Sequence, residues 1–299
     1  MRSIATIAVA GIALLAGHSQ LSAQQIYKTP EEAATDLVDS ARAKTPDFAT
    51  RILGPQGAAL VRSGDQEQDA RNLADFNEAA AESVAVDEQD ADTRTLRVGD
   101  RGWTFPLPIV KRNGGWRFDP ERGRTEITNR LIGYDELSAI GACRAYVKAQ
   151  DEYFAMDRED DGVREYAGKI ISSPGARDGL YWEPENQADI SPLEDFVTVA
   201  RQKRKNAVGA GSYNGYYFRI LTAQGPSAPG GAHPYRINGS MIAGHAMVAW
   251  PVEWGKTGVK SFICGQNGKV FEKNLGPRTG EAAGKMTSYN PDPSWSLVD

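Results

Sequence analysis

DELSAIGACRAYVKAQDEYFAM, residues 135–156, places Leu137, Ile140, Cys143, Val147 and Phe154 at spacings of three, four and seven. Those intervals lay one side of a helix on a core, so the stretch predicts a helix from Asp135 to about Met156. Downstream the pattern changes to strands at Tyr216–Ala223, Ser240–Val252, Val259–Cys264 and Lys269–Lys273. Both faces of Met241–Trp250 are mostly apolar, as in a central strand. Gly265-Gln266-Asn267-Gly268 then joins the last two strands as a hairpin. The intervening residues, roughly 157–214, read as irregular, with short helical pieces near Val163–Ile170 and Pro192–Lys203. The second half is therefore expected to be a long helix packed on a four-stranded antiparallel sheet, an α+β layer.

Upstream, residues 24–134 read as a separate α+β domain, with 135–299 as the second. In Thr29-Pro30-Glu31-Glu32, Thr29 caps a helix, Pro30 suits its first turn and Glu32 completes a capping box. Ala33, Ala34, Leu37, Val38 and Ala41 follow as one apolar stripe. Shorter helices are expected at Asp47–Leu53, which Gly54 ends, and at Gln56–Val61, then a longer one at Asp65–Glu82. Thr93–Val98, Trp103–Arg112 and Gly115–Phe118 read as a small curved antiparallel meander. Pro106 and Pro108 put its middle strand at an edge or bulge, because neither can donate to a ladder. A helix from about Arg122 to Leu131, ending at Gly133, closes this half.

The 299 residues carry 34 Lys+Arg against 39 Asp+Glu, a net charge of −5, which argues against nucleic acid as a partner. An apolar fraction of 40% with only two cysteines excludes a disordered or disulfide-dense chain. Arg2 precedes a thirteen-residue apolar run, Ile4–Ala16, too short to span a bilayer, which takes roughly 20 residues. Leu21-Ser22-Ala23 then offers small residues for signal cleavage after Ala23. With no later apolar stretch of 18 residues, the expected mature chain is a periplasmic or secreted protein with no transmembrane span.

Certain runs carry a family likeness: Gly102-Trp103-Thr104-Phe105-Pro106-Leu107-Pro108, Gly115-Trp116-Arg117-Phe118-Asp119, Arg177-Asp178-Gly179-Leu180-Tyr181-Trp182, Gly215–Pro226 and Val248-Ala249-Trp250-Pro251. Together they resemble the bacterial exported family known as domain of unknown function 2950, over nearly the whole mature chain. The resemblance implies export and brings no established activity with it. Residues 135–273 alone, a helix, an irregular loop and then strands, are similar to the globular domains of type IV pilin-like and pseudopilin proteins. The chain departs from those in having a whole domain before the helix and a removable signal in place of their apolar N-terminal helix.

Export would permit oxidation of Cys143 and Cys264, the only cysteines. A disulfide between them would tie the Asp135–Met156 helix to the sheet; the alternative is two buried thiols acting as small hydrophobes. Asp157, Glu159 and Asp161 set oxygens at alternate positions before Gly162, which suits a loose Ca2+ loop. Gly168 stands where a full EF-hand needs its bidentate Glu, so the alternative is an acidic turn ending the helix. Trp182, Trp254 and Trp295 are candidates for ligand contact, glycans included. His233 and His245 lack the company of a zinc site, and no Gly-x-Ser-x-Gly elbow is present. Arg201–Lys205 reads as a solvated helix end.

The expectation is a non-catalytic envelope module that binds an unidentified envelope protein partner or supports assembly. One alternative is a calcium, small-ligand or glycan binder. Another is a periplasmic hydrolase of envelope polymers drawing acid and base from Asp157, Asp161, Asp178 and Glu183.

Overall fold

Thr29 Oγ1 accepts from the Glu32 amide at 3.1 Å, and the Lys28 amide donates to Glu32 Oε2 at 2.9 Å. This reciprocal cap starts α1 (Pro30–Arg42) in the computed structural model, which describes residues 24–186, 189–194 and 212–298. The predicted signal, most of the predicted Pro192–Lys203 helix and the Arg201–Lys205 run lie outside the described residues. The chain divides into two compact units, Met1–Glu126 and Ile127–Asp299.

In the first unit, α2 (Phe48–Leu60) is two helical pieces that meet at Gly54, whose φ of 75° breaks the helix where the sequence placed a stop. Asp65 caps α3 (Gln66–Glu82) by accepting from the Glu67 and Gln68 amides at 3.0 and 3.1 Å. Five strands follow: β1 (Val84–Asp90), β2 (Thr93–Val98), β3 (Trp103–Thr104), β4 (Ile109–Arg112) and β5 (Gly115–Phe118). They run in the order β1-β2-β4-β5, with β3 also on β2. The predicted Trp103–Arg112 strand is thus cut at its prolines. Between them Leu107 is fully buried, in space that Gly57 and Gly123 leave open.

The extra strand β1 was not expected, because its acidic residues hide the period-two pattern. Its pairing to β2 and the Arg97–Asp87 ion pair hold it in place. Asp36 on α1 receives both guanidinium nitrogens of Arg51, at 2.6 and 2.9 Å, and the Tyr27 hydroxyl at 2.7 Å.

α4 runs unbroken from Pro120 to Phe154, so Gly133 does not end a helix as predicted. A lone glycine costs a helix only about 1 kcal/mol relative to alanine, and no proline follows to stop the chain. The buried side of α4 also differs from the predicted seam. Leu137 is 71% exposed, while Ala139, Ile140, Cys143, Tyr146, Ala149 and Tyr153 form the core face. Long-range polar contacts select that rotation. Tyr146 Oη donates to the Ala246 carbonyl at 3.0 Å and Tyr153 Oη to the Arg177 carbonyl at 2.6 Å. Gln150 exchanges two hydrogen bonds with the Ala167 backbone, at 2.8 and 2.9 Å.

Beyond α4, β6 (Lys169–Ile171) and β7 (Gly179–Tyr181) form a parallel pair; the predicted Val163–Ile170 helix is not formed. Next come β8 (Tyr216–Leu221), β9 (Ala223–Gln224), β10 (His233–Pro234), β11 (Arg236–Ile237), β12 (Ser240–Met241) and β13 (Ala246–Pro251). The predicted Ser240–Val252 strand is interrupted before His245, where Gly244 takes a φ of 139°. β14 (Ser261–Gly265), β15 (Val270–Lys273), α5 (Thr279–Gly284), β16 (Ser288–Tyr289) and β17 (Ser296–Leu297) complete the unit.

The four predicted strands build an antiparallel sheet, and β17 adds a fifth in the order β17-β15-β14-β13-β8. Met247, Ala249, Phe262 and Cys264 face α4. Ala246, Val248 and Ile263 point the other way, onto a second core with Tyr235, Met241, Ala283 and Tyr289. The result is an open α+β layer with a sheet buried on both faces. Arg219 on β8 closes the far side by donating to the Ala283 and Gly284 carbonyls at the end of α5, at 2.7 Å each, and to Met286 O.

Candidate functional site

On the α4 side of this sheet, beyond β8, lies a cavity of about 820 Å3, within the usual range for a binding cleft. Ala142 and Tyr146 of α4, Met247 of β13, and Phe218 and Ile220 of β8 form an apolar wall, and β6 with the turn after it forms the opposite side. Gly179 makes this turn possible: a Cβ there would sit 2.6 Å from the Ser172 amide nitrogen.

Two ion pairs, Lys169–Asp178 and Arg177–Asp189, stand at the cavity. Lys169 Nζ donates to Asp178 at 2.5 Å, and Ser173 gives that carboxylate both its amide, at 2.8 Å, and its hydroxyl, at 2.9 Å. Burial pushes the Asp178 carboxyl up, but Lys169 and Ser173 outweigh it and hold the group below the usual carboxylate range. Asp189 is held down by the Glu185 amide, with the Trp182 indole at 3.0 Å and Arg177 at 3.0 Å helping against burial. Glu159 moves the other way, raised first by burial and then by the charges of Glu165, Asp178 and Asp161.

The cavity also meets unpaired backbone. The Val252 amide donates to the Gly215 carbonyl at 2.8 Å, which sets the alternation of the β8–β13 ladder. Tyr217, Arg219 and Leu221 therefore bond inward to β13, and Tyr216, Phe218 and Ile220 present N–H and C=O groups outward. Tyr216 is satisfied by Tyr213, at 2.9 and 3.0 Å. Among the described residues β8 pairs with β13 alone, and the outward backbone groups of Phe218 and Ile220 have no partner. Sequence reading missed this edge because neither the strand order nor the inward residue of each pair is a local property.

The three tryptophans are not brought together. Trp182 lines the cavity, 6% exposed, with the Arg158 and Arg177 guanidiniums over its ring at 5.6 and 5.7 Å. Trp254 is 38% exposed and donates to Asn274 at 3.0 Å. Trp295 is half-buried against the core on the other face of the sheet, with Lys273 over its ring at 5.7 Å.

The Asp157–Asp161 loop follows α4. Asp157 accepts from the Gly162 amide at 2.8 Å and Asp161 from the Val163 amide at 2.9 Å, while Glu159 lies 3.5 Å from the Tyr153 hydroxyl. Among the described residues no three His, Cys, Asp or Glu side chains are grouped to hold a metal ion. Of the hydrolase candidates, Glu183 lines the cavity, Asp178 is ion-paired beside it, and Asp157 and Asp161 stay in their turn.

His233 rests between the Gly231 and Ala243 carbonyls at 3.2 and 3.3 Å. His245 is fully buried between the Tyr146 and Tyr166 rings, and among the described residues neither of its nitrogens has a hydrogen-bond partner.

Residues 24–298 match the family described as "Protein of unknown function (DUF2950)", and the chain belongs to that family. No curated protein and no solved structure matches it, and the resemblance to pilin and pseudopilin domains is not confirmed.

Proposed function

We propose that this member of the family is an exported, non-catalytic envelope module whose second unit binds an extended segment of a partner polypeptide along the outer edge of β8. The N–H and C=O groups of Phe218 and Ile220, unpaired among the described residues and facing a cavity of about 820 Å3, carry the proposal. An extended chain is the ligand that satisfies such a row of alternating donors and acceptors, and the apolar wall accepts its alternate side chains.

The paired carboxylates support binding over hydrolysis. Asp178 and Asp189 are both held ionised by partners, and Glu159, the carboxyl that is raised, does not line the cavity, whereas acid–base catalysis needs a raised carboxyl and a free one facing each other across the substrate. The guanidiniums over Trp182 cover the ring that a sugar would stack on. For the envelope location, the Ile4–Ala16 run and Leu21-Ser22-Ala23 supply the support. No helix of the described residues is long and apolar enough to cross a membrane.

A photo-reactive residue at Pro174, on the cavity rim, tests the reading in intact cells. It should cross-link one reproducible polypeptide. The Ile220→Pro variant, which removes an N–H that the β13 ladder does not use, should abolish that capture. So should Ile171→Asp, at a rim position 62% exposed, where the fold does not depend on the side chain. Capture that survives both substitutions would refute strand addition.

A further inference from the structure

Cys143 on α4 and Cys264 on β14, the only cysteines of the chain, are fully buried in one core cluster with Tyr146, Met247 and Phe262. They come from facing layers, helix and sheet, and stand as separate buried thiols within the same cluster. Residues 121 positions apart have thus been brought into one core cluster by the packing of α4 on the sheet. We infer that Cys143 and Cys264 are an oxidisable pair that closes into one intramolecular disulfide while the chain folds.

The step is a thiol–disulfide exchange with a small disulfide oxidant. One cysteine thiolate attacks the oxidant and releases its first thiol, leaving a mixed disulfide on the protein. The second cysteine attacks that mixed disulfide, forms the Sγ–Sγ bond and releases the second thiol. Two cysteine thiols are oxidised, and the oxidant takes up the two electrons and two protons.

Timing follows from burial. With both sulfurs fully enclosed, an oxidant the size of glutathione reaches them only when the helix has left the sheet. Burial, and then the neighbouring Cys143, also push the Cys264 thiol well up, so Cys264 of the folded chain offers little thiolate. The same enclosure protects the finished bond from reductant and keeps it from pairing with another chain. None of this depends on the β8 edge.

The experiment refolds the full chain, reduced and unfolded beforehand, in oxidised glutathione. Peptide mapping without reduction should recover a Cys143–Cys264 cross-link. The melting temperature should rise on the order of 10 °C over the reduced chain, because the closed loop is long. Oxidised glutathione added to the already folded, reduced chain should act at least about tenfold more slowly. The Cys143→Ala variant should melt at one temperature with or without oxidant. Should that variant not fold, the wild-type peptide map decides alone. Two freely alkylated thiols after refolding, or a glutathione adduct on each cysteine, would overturn the pairing. Equally fast oxidation of the folded chain would overturn closure during folding.

Discussion

Two buried groups of the second unit pull its pH dependence in opposite directions, and separating them is the sharpest test of its packing. Burial lowers His245 from 6.5 to about 4, and no hydrogen bond from the described residues offsets it. Burial raises Asp135, on α4, from 3.8 to about 6. Between about pH 4 and 6.5 the unfolded chain protonates His245 and the folded chain does not. Stability therefore falls as pH drops through that window.

Asp135 has the reverse sign. Above pH 3.8 the unfolded chain ionises it while the folded chain keeps it protonated to about 6, so stability falls as pH rises. Each tenfold change in proton affinity is about 1.4 kcal/mol, so each group is worth about 3 kcal/mol across its window. From pH 4 to 6 the two slopes nearly cancel.

His245→Phe removes one of them and keeps a ring between Tyr146 and Tyr166. It should leave stability declining by about 1 kcal/mol per pH unit from 4 to 6. It should also gain about 1 kcal/mol at pH 7 by deleting two unpartnered nitrogens. Asp135→Asn should show the opposite slope. Urea unfolding followed by tryptophan fluorescence at pH 4, 5, 6 and 7 reads both. Variants that track the wild type at a constant offset would refute the reasoning, because neither group would then titrate differently on unfolding.

Two further substitutions test the packing. Gly123→Ala would set a Cβ 2.5 Å from Leu107 Cγ, and should cost about 1–3 kcal/mol in urea unfolding; an unchanged midpoint would mean the site relaxes freely. Gln150→Leu leaves the Ala167 N–H and C=O unpaired in the core, and should cost about 2–4 kcal/mol. Faster exchange of the Ala167 amide should accompany that loss, and a protected amide would show that another partner replaces Gln150.

What the amino-acid order determined by itself is the set of features whose physics closes within a turn or two. Thr29 and Glu32 cap α1, Gly54 breaks α2, and Asp65 caps α3. Asn267 and Gly268, with a φ of 71°, turn β14 into β15. Pro106 and Pro108 divide the strand that holds them, and the apolar β13 lies inside its sheet. Each rests on a side chain acting on its own backbone or on a periodicity visible in place.

Tertiary structure decided the rest. Helix α4 continues through Gly133 because nothing nearby stops it. It turns Tyr146, Gln150 and Tyr153 inward in place of Leu137 because their hydrogen-bond partners wait at Ala246, Ala167 and Arg177. The burial of Cys143 and Cys264 in one cluster, the β8 edge left unpaired among the described residues and the cavity beside it share that origin. All are set by which distant segments come together, and an unpaired backbone group or a buried charge acquires its cost only once those neighbours are in place.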